Sequence, residues 1–99
     1  RVYLAAKGGF MTCVDLQTGK PLYQKERLGI GGEYYASPIA VDDNIIVCAH
    51  RGNVFLVKAT KKMDIVHSTN LNEKIFATPA IADSKIYIRS EAHLWSFGD

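Results

Sequence analysis

Residues 36–71, ASPIAVDDNIIVCAHRGNVFLVKATKKMDIVHSTNL, decide the fold, because much of this stretch recurs 41 positions later. Residues 37–47 align with residues 78–88, and both segments carry a proline at their second position. Upstream, residues 2–4 align with residues 45–47, and Gly9 aligns with Gly52, at a spacing of 43. The chain therefore contains parts of three repeat units.

The period of the repeat predicts an all-β protein. A period in the low forties, made of short β runs separated by turn residues, is typical of a β-propeller with one four-stranded blade per repeat. Helical repeats of similar length are the competing interpretation, but residues 44–50 and 53–58 are apolar runs too short for helices. A short helix remains the alternative only around Met63, Val66 and His67.

The strand at residues 44–50 is apolar on both of its faces. Ile45 and Val47 point to one side and Ile46 and Cys48 to the other, whereas a half-exposed sheet would alternate with polar residues. Blades stacked face to face bury both sides of such a strand. The strand at residues 63–69 is mixed in composition, which predicts a position at the rim.

The repeat also predicts how the strands are grouped. We expect a partial propeller of four-stranded antiparallel blades, cut from a full ring of seven or eight. Residues 1–28 would supply strands two to four of one blade, residues 36–71 a complete blade, and residues 77–97 strands one to three of the next. The predicted strands are 1–6, 10–15, 21–28, 44–50, 53–58, 63–69, 77–82, 85–90 and 93–97, together with a strand that starts at residues 36–38.

The composition excludes several classes of function. The chain has 99 residues, a net charge of +2 and 47% hydrophobic residues, without a transmembrane run or a charge block. We therefore expect neither a membrane span nor a nucleic-acid partner. Cys13 and Cys48 fall in different strands without a C-x-x-C pattern, which favours two small buried hydrophobes over a disulfide.

No familiar catalytic or metal-binding pattern is present in the sequence. His50, His67 and His93 lie near strand ends without acidic partners at metal-ligand spacing. A nucleophile elbow of the G-x-S-x-G kind is also missing. The sequence therefore predicts no catalytic residues and no metal site.

The turn that follows the second predicted strand has a structural explanation. The Asp15 side chain can accept hydrogen bonds from backbone N–H groups just downstream, and Gly19 can adopt a positive φ at no steric cost. Residues 14–23, VDLQTGKPLY, resemble the A-x-D-x-x-T-G-x-x-x-W repeat of quinoprotein-like propellers, often named for pyrroloquinoline quinone. Val14 replaces the usual alanine and Tyr23 the tryptophan.

This resemblance implies structural roles for four residues. Tyr23 would dock between blades, supported by the turn residues Asp15, Thr18 and Gly19. Enzymes of the family use a vicinal cysteine pair, a calcium site, an aspartate base and a tryptophan beneath the quinone. None of these can be matched here, which implies no cofactor.

The resemblance thus favours a non-catalytic binding or assembly scaffold, like the secreted or periplasmic bacterial members of the family. Its partners would be the other blades of the same propeller and other proteins. The alternative is a peripheral part of a quinone-dependent alcohol or sugar dehydrogenase.

A ligand or partner is expected to meet the loops at one end of the blades. These are the crossings from one blade to the next and the loops between second and third strands. Ordinary loop surface or inter-blade packing is the competing interpretation for these residues. The candidate binding residues are Glu33, Tyr34, Tyr35, His50, Arg51, Lys74 and Phe76.

Overall fold

A computed structural model describes residues 1–60, 62–83 and 85–98, and all regular structure among them is β. Lys61 and Ser84, which fall in two predicted turns, and Asp99 lie outside the described residues. The ten strands are β1 Val2–Ala6, β2 Phe10–Val14, β3 Pro21–Arg27, β4 Ile39–Val41, β5 Asn44–Cys48, β6 Asn53–Lys58, β7 Ile65–Asn70, β8 Ala80–Ala82, β9 Lys85–Arg89 and β10 Leu94–Gly98.

The strands form three antiparallel sheets. Sheet 1 has the order β1-β2-β3, sheet 2 the order β4-β5-β6-β7, and sheet 3 the order β8-β9-β10. Neighbouring strands in each sheet also follow one another along the chain. The predicted grouping of three, four and three antiparallel strands is therefore confirmed, and so is the absence of a helix from the described residues.

Two strands begin later than predicted. The strand expected at 77–82 covers only Ala80–Ala82, and β4 likewise begins at Ile39. Pro38 and Pro79 immediately precede these strands because proline has no N–H to donate to a β ladder. The predicted rim strand is shifted to Ile65–Asn70, lies at the edge of sheet 2, and has six exposed residues.

Sheet 2 lies between two separate hydrophobic cores. Side chains of sheet 1 and one face of sheet 2 form core 1, and the opposite face of sheet 2 packs with sheet 3 in core 2. Core 1 contains Met11, Cys13, Tyr23, Leu28, Tyr34, Ile45, Val47, Ala49, Phe55 and Val57. Core 2 contains Ala36, Ile46, Cys48, Leu71, Ile75 and Ile88. The alternation predicted for β5 is confirmed: Ile45 and Val47 belong to core 1, and Ile46 and Cys48 to core 2.

Equivalent glycines make the same close contact in sheets 1 and 2. The Gly9 carbonyl accepts a hydrogen bond from Leu28 N at 2.8 Å, and the Gly52 carbonyl accepts one from Leu71 N at 3.0 Å. Both glycines have a positive φ, 81° and 113°. A Cβ on Gly9 would lie 2.1 Å from the Ile30 carbonyl oxygen, and one on Gly52 would lie 2.4 Å from that of Glu73. The aligned positions are thus glycine because a neighbouring backbone leaves no room for a side chain.

The turn at 15–20 has the geometry expected from its residues. Gln17 N donates to Asp15 Oδ1 at 2.9 Å, Lys20 N donates to Thr18 Oγ1 at 3.3 Å, and Gly19 has a φ of 72°. Asp42 and Asp83, aligned by the repeat, also have matching positive φ values of 52° and 50°. Short Asp side chains tolerate this region better than most residues. The repeat therefore extends from sequence to backbone conformation.

Candidate functional site

Turns and linkers at one end of the sheets are joined by backbone hydrogen bonds into a continuous surface, called here the loop face. It comprises the turns 7–9, 49–52 and 90–93 and the linkers 28–38 and 71–79. Gly8 N donates to Gly32 O at 2.7 Å, and His50 N donates to Glu33 O at 2.9 Å. Ile75 N donates to His50 O at 3.0 Å, and Glu91 N to Lys74 O at 2.9 Å. Each linker therefore connects the turns of two adjacent sheets.

Three candidate residues form an aromatic row on the loop face. The ring centroids of Tyr35 and His50 are 4.9 Å apart and those of His50 and Phe76 are 4.6 Å apart, both in edge-to-face geometry. Edge-to-face contacts at these distances are favourable for aromatic pairs. Tyr35 remains 59% exposed and Phe76 57% exposed, so the two outer rings present much of their surface to solvent.

The imidazole of His50 is held in a defined orientation. Its Nδ1 lies 3.1 Å from the Ile75 carbonyl oxygen. Because a carbonyl oxygen can only accept, Nδ1 carries a proton in this contact. In the neutral ring Nε2 is then the acceptor nitrogen.

Tyr34 differs from the other candidate binding residues, because it has the position of a packing residue rather than of an exposed one. Its side chain is buried in core 1, and its hydroxyl donates to the Ile30 carbonyl at 2.6 Å. Burial raises the pKa of Tyr34 to about 12, although the nearby positive charge of Arg51 acts in the opposite direction. Tyr34 therefore anchors the first linker from the inside, whereas the neighbouring Tyr35 is exposed.

The three charged candidates, Glu33, Arg51 and Lys74, lie on the same turns and linkers as the aromatic row. Glu33 forms an ion pair with Lys7 at 3.4 Å, and because the Lys7 side chain is 78% exposed the pair contributes little to stability. Arg51 directly follows His50 and is exposed. Lys74 is exposed as well and lies two residues before Phe76. The loop face therefore brings all seven candidates to one end of the sheets, six of them at its surface.

A polar network at the same end was not found by sequence reasoning. The Glu73 carboxylate accepts hydrogen bonds from Ser90 Oγ, from Ala92 N at 3.0 Å and from His93 Nδ1. Trp95 Nε1 donates to Ser90 Oγ at 2.7 Å. These hydrogen bonds, with the one from Ser90 foremost, lower the pKa of Glu73. The network ties the second linker to the β9–β10 turn.

The Glu73 network is not arranged for nucleophilic catalysis. A catalytic serine donates its proton to a histidine, which in turn is oriented by a carboxylate. Here Ser90 Oγ donates to Glu73 and to the His93 backbone carbonyl, and the His93 imidazole contacts Glu73 rather than the Ser90 hydroxyl. Ser90 is also only 6% exposed. The arrangement therefore serves as a structural cross-link between two loops.

Comparison with protein-family models found no match, and comparison with curated proteins found none either. Within the described ranges, no group of three or more His, Cys, Asp or Glu side chains could hold a metal ion. The part of the chain that the structure describes also contains no helix long and apolar enough to cross a membrane. Cys13 and Cys48 are both free and buried, Cys13 in core 1 and Cys48 in core 2.

Proposed function

We propose that this chain is a run of consecutive β-propeller blades and acts as a non-catalytic scaffold that binds another protein through its loop face. The observation that carries the proposal is the aromatic row of Tyr35, His50 and Phe76. It combines a fixed central ring with two exposed outer rings.

The propeller part of the proposal is supported by the way the three sheets repeat. Each sheet uses strands that follow one another along the chain, and sheet 2 packs against both of its neighbours. Ser37 N donates to Thr78 Oγ1 at 2.9 Å, so the same position of two repeats meets across adjacent sheets. Stacked antiparallel sheets related by one repeat are what successive blades of a propeller would provide.

The resemblance to quinoprotein-like propellers is part of the same proposal. Tyr23, at the position of the family's docking tryptophan, is 8% exposed and belongs to core 1 between sheets 1 and 2. Asp15 and Gly19 have the turn geometry that the motif requires. These features support the structural part of the resemblance, namely the packing between sheets and the turn. That part does not depend on quinone chemistry.

A protein is the partner class that fits the loop face best. Aromatic side chains and arginine are enriched where proteins bind one another, and a few such residues provide most of the binding energy. Tyr35 and Phe76 are exposed, and Arg51 is exposed on the turn 49–52, whose backbone is hydrogen-bonded to both linkers. The row is therefore preorganised, which lowers the entropic cost of binding.

The proposal can be tested by selecting binding peptides from a displayed library and measuring their affinity for variants. We expect Tyr35→Ala and Phe76→Ala each to weaken the selected peptides by about tenfold or more, as for residues at the centre of an interface. Leu16→Ala is the matched control, because Leu16 is 69% exposed but lies in the 15–20 turn, outside the loop face. It should leave the affinity unchanged.

Far-ultraviolet circular dichroism of all three variants should match that of the parent, since the substituted side chains are exposed. Peptides that bind both aromatic variants as tightly as the parent would contradict the proposed site. Peptides sensitive to Leu16→Ala instead would place the binding surface at the opposite turn.

A further inference from the structure

A cavity of about 200 Å³ lies between sheet 2 and sheet 3. Its walls are mostly apolar: Ile46, Val54 and Leu56 come from sheet 2, and Ile86, Ile88 and Phe97 from sheet 3. His67 and Thr69 of β7 also line it, and both are exposed, so the cavity opens to solvent beside β7. It is distinct from the loop face.

Strand register explains why the cavity exists. In sheet 1 Tyr23 pairs with Cys13, and in sheet 2 His67 pairs with Leu56. Cys13 and Leu56 are equivalent at the repeat spacing of 43. His67 therefore occupies the position in sheet 2 that Tyr23 occupies in sheet 1.

The two interfaces between sheets differ at this position. Tyr23 is buried in core 1, whereas His67 is exposed at the edge of the cavity. Apart from Phe55 and Thr69, the other residues lining the cavity have counterparts in or against core 1, which pair as Ile46 with Tyr3, Val54 with Met11, Ile86 with Ile45, Ile88 with Val47 and Phe97 with Val57. Leu56 and Phe97 are larger than their counterparts, and a cavity nevertheless remains.

We propose that this cavity binds a small planar aromatic molecule, of the size of phenol or indole, whose ring takes the place that the Tyr23 ring takes in core 1. An engineered apolar cavity of about 150 Å³ is large enough to bind benzene. The cavity here is somewhat larger, at about 200 Å³. A one-ring or small two-ring compound therefore fits.

The polar residues at the opening define the ligand further. Small-molecule sites are mostly apolar, with a few polar groups that fix orientation. His67 and Thr69 are the polar side chains that line this cavity, and each can donate or accept a hydrogen bond. The ligand would bury its ring against Ile86 and Ile88 and direct its N–H or O–H toward His67.

The proposal is tested by titrating the chain with indole and monitoring the methyl NMR signals of labelled isoleucines. We expect saturable shifts at Ile46, Ile86 and Ile88, with a Kd below about 1 mM, a typical affinity for a fragment of this size. Ile45, which lies in core 1 on the other side of sheet 2, is the internal control and should not shift.

Two substitutions of His67 distinguish the effect of filling the cavity from the effect of removing the imidazole. His67→Tyr should place a phenol ring in the cavity, weaken indole binding at least tenfold and raise the Tm. His67→Gln keeps a polar side chain at the opening and should retain binding within about threefold. Val54→Met, which introduces the side chain type of Met11, gives a second way to fill the cavity and should also weaken indole binding.

Absence of saturable shifts with indole up to about 10 mM, a concentration at which even weak fragments bind, would overturn the proposal. Unchanged indole affinity in both His67→Tyr and Val54→Met would do so as well. Shifts that appear equally at Ile45 would show non-specific association rather than a site.

Discussion

Ile45 and Ile46 are adjacent in sequence, 3% and 2% exposed, and buried in different cores. Ile45 packs with residues of sheet 1, and Ile46 packs with residues of sheet 3. β5 is therefore shared by both interfaces, and we expect the folding of sheets 1 and 3 to be coupled through sheet 2.

Coupling through sheet 2 predicts a single unfolding transition. Met11→Ala in core 1 and Ile88→Ala in core 2 should each destabilise the chain by about 2–4 kcal/mol, because both remove fully buried side chains. Urea denaturation followed by tryptophan fluorescence, which reports on Trp95 in sheet 3, should detect both losses. Leu94→Ala, at a residue 66% exposed, should change stability by less than about 0.5 kcal/mol. A transition at Trp95 insensitive to Met11→Ala would show that the sheets unfold independently.

The close contact at Gly52 predicts a large effect of a single methyl group. Gly52→Ala should destabilise by about 2 kcal/mol or more, since alanine is strained at positive φ and its Cβ would meet the Glu73 carbonyl oxygen at 2.4 Å. Gly31→Ala is the control, because nothing lies within 4 Å of a Cβ there and its φ is not positive. Thermal denaturation of both variants measures the difference. Equal melting temperatures would mean that the linker does not approach the turn so closely.

Burial raises the pKa of the Cys48 thiol to about 12. At pH 8 only about 10⁻⁴ of the thiol would then be ionised, and the thiolate is the reactive form. We expect iodoacetamide to leave Cys48 unmodified in the native chain and to modify it rapidly in guanidinium chloride, as followed by peptide mass spectrometry. Comparable modification rates in the two conditions would place Cys48 at the surface.

The Glu73 network predicts that the stability of the fold depends on pH. The pKa of Glu73 is lowered from its ordinary value of 4.5, foremost by the hydrogen bond from Ser90. A carboxylate whose folded pKa is depressed stabilises the fold above its unfolded pKa, and this stability is lost as the pH falls through the folded pKa. Glu73→Gln should therefore lower the Tm at pH 7, and its difference from the parent should shrink below about pH 4.5.

The control for this pH dependence is Glu91→Gln, because Glu91 lies next to the network without belonging to it. Melting curves of the parent and both variants from pH 7 to pH 3 make the comparison. A Tm difference for Glu73→Gln that persists unchanged at pH 3 would contradict the role of the charged carboxylate.

The sheets could be predicted from the sequence because the strands are short, most of the inner ones are apolar, and the turn residues that bound them recur. Two-sided burial of β5 followed from the apolar residues at both Ile45 and Ile46. The starts of β4 and β8 could not be placed to the residue, because Pro38 and Pro79 are compatible both with the edge of a strand and with the position before it.

The candidate site was predicted less completely than the fold. Repeat position brought Tyr35, His50 and Phe76 to one end of the sheets, but the burial of Tyr34 depends on side-chain direction in an irregular linker. Glu73 and His93 are 20 residues apart in different loops, a spacing that no motif describes. The difference between Tyr23 and His67 could have been found by aligning the fourth strands, but the bulge between Leu56 and Val57 obscures that register.

A methyl NOE experiment on the chain with labelled isoleucine, methionine and valine tests the stacking of the three sheets most directly. We expect Ile45 to show NOEs to Met11 and other residues of core 1, whereas Ile46 should show NOEs to Ile88 and other residues of core 2. NOEs from both isoleucines to the same set of residues, or from Ile46 to solvent-exposed neighbours only, would contradict the stacking of three repeated sheets on which the proposed scaffold rests.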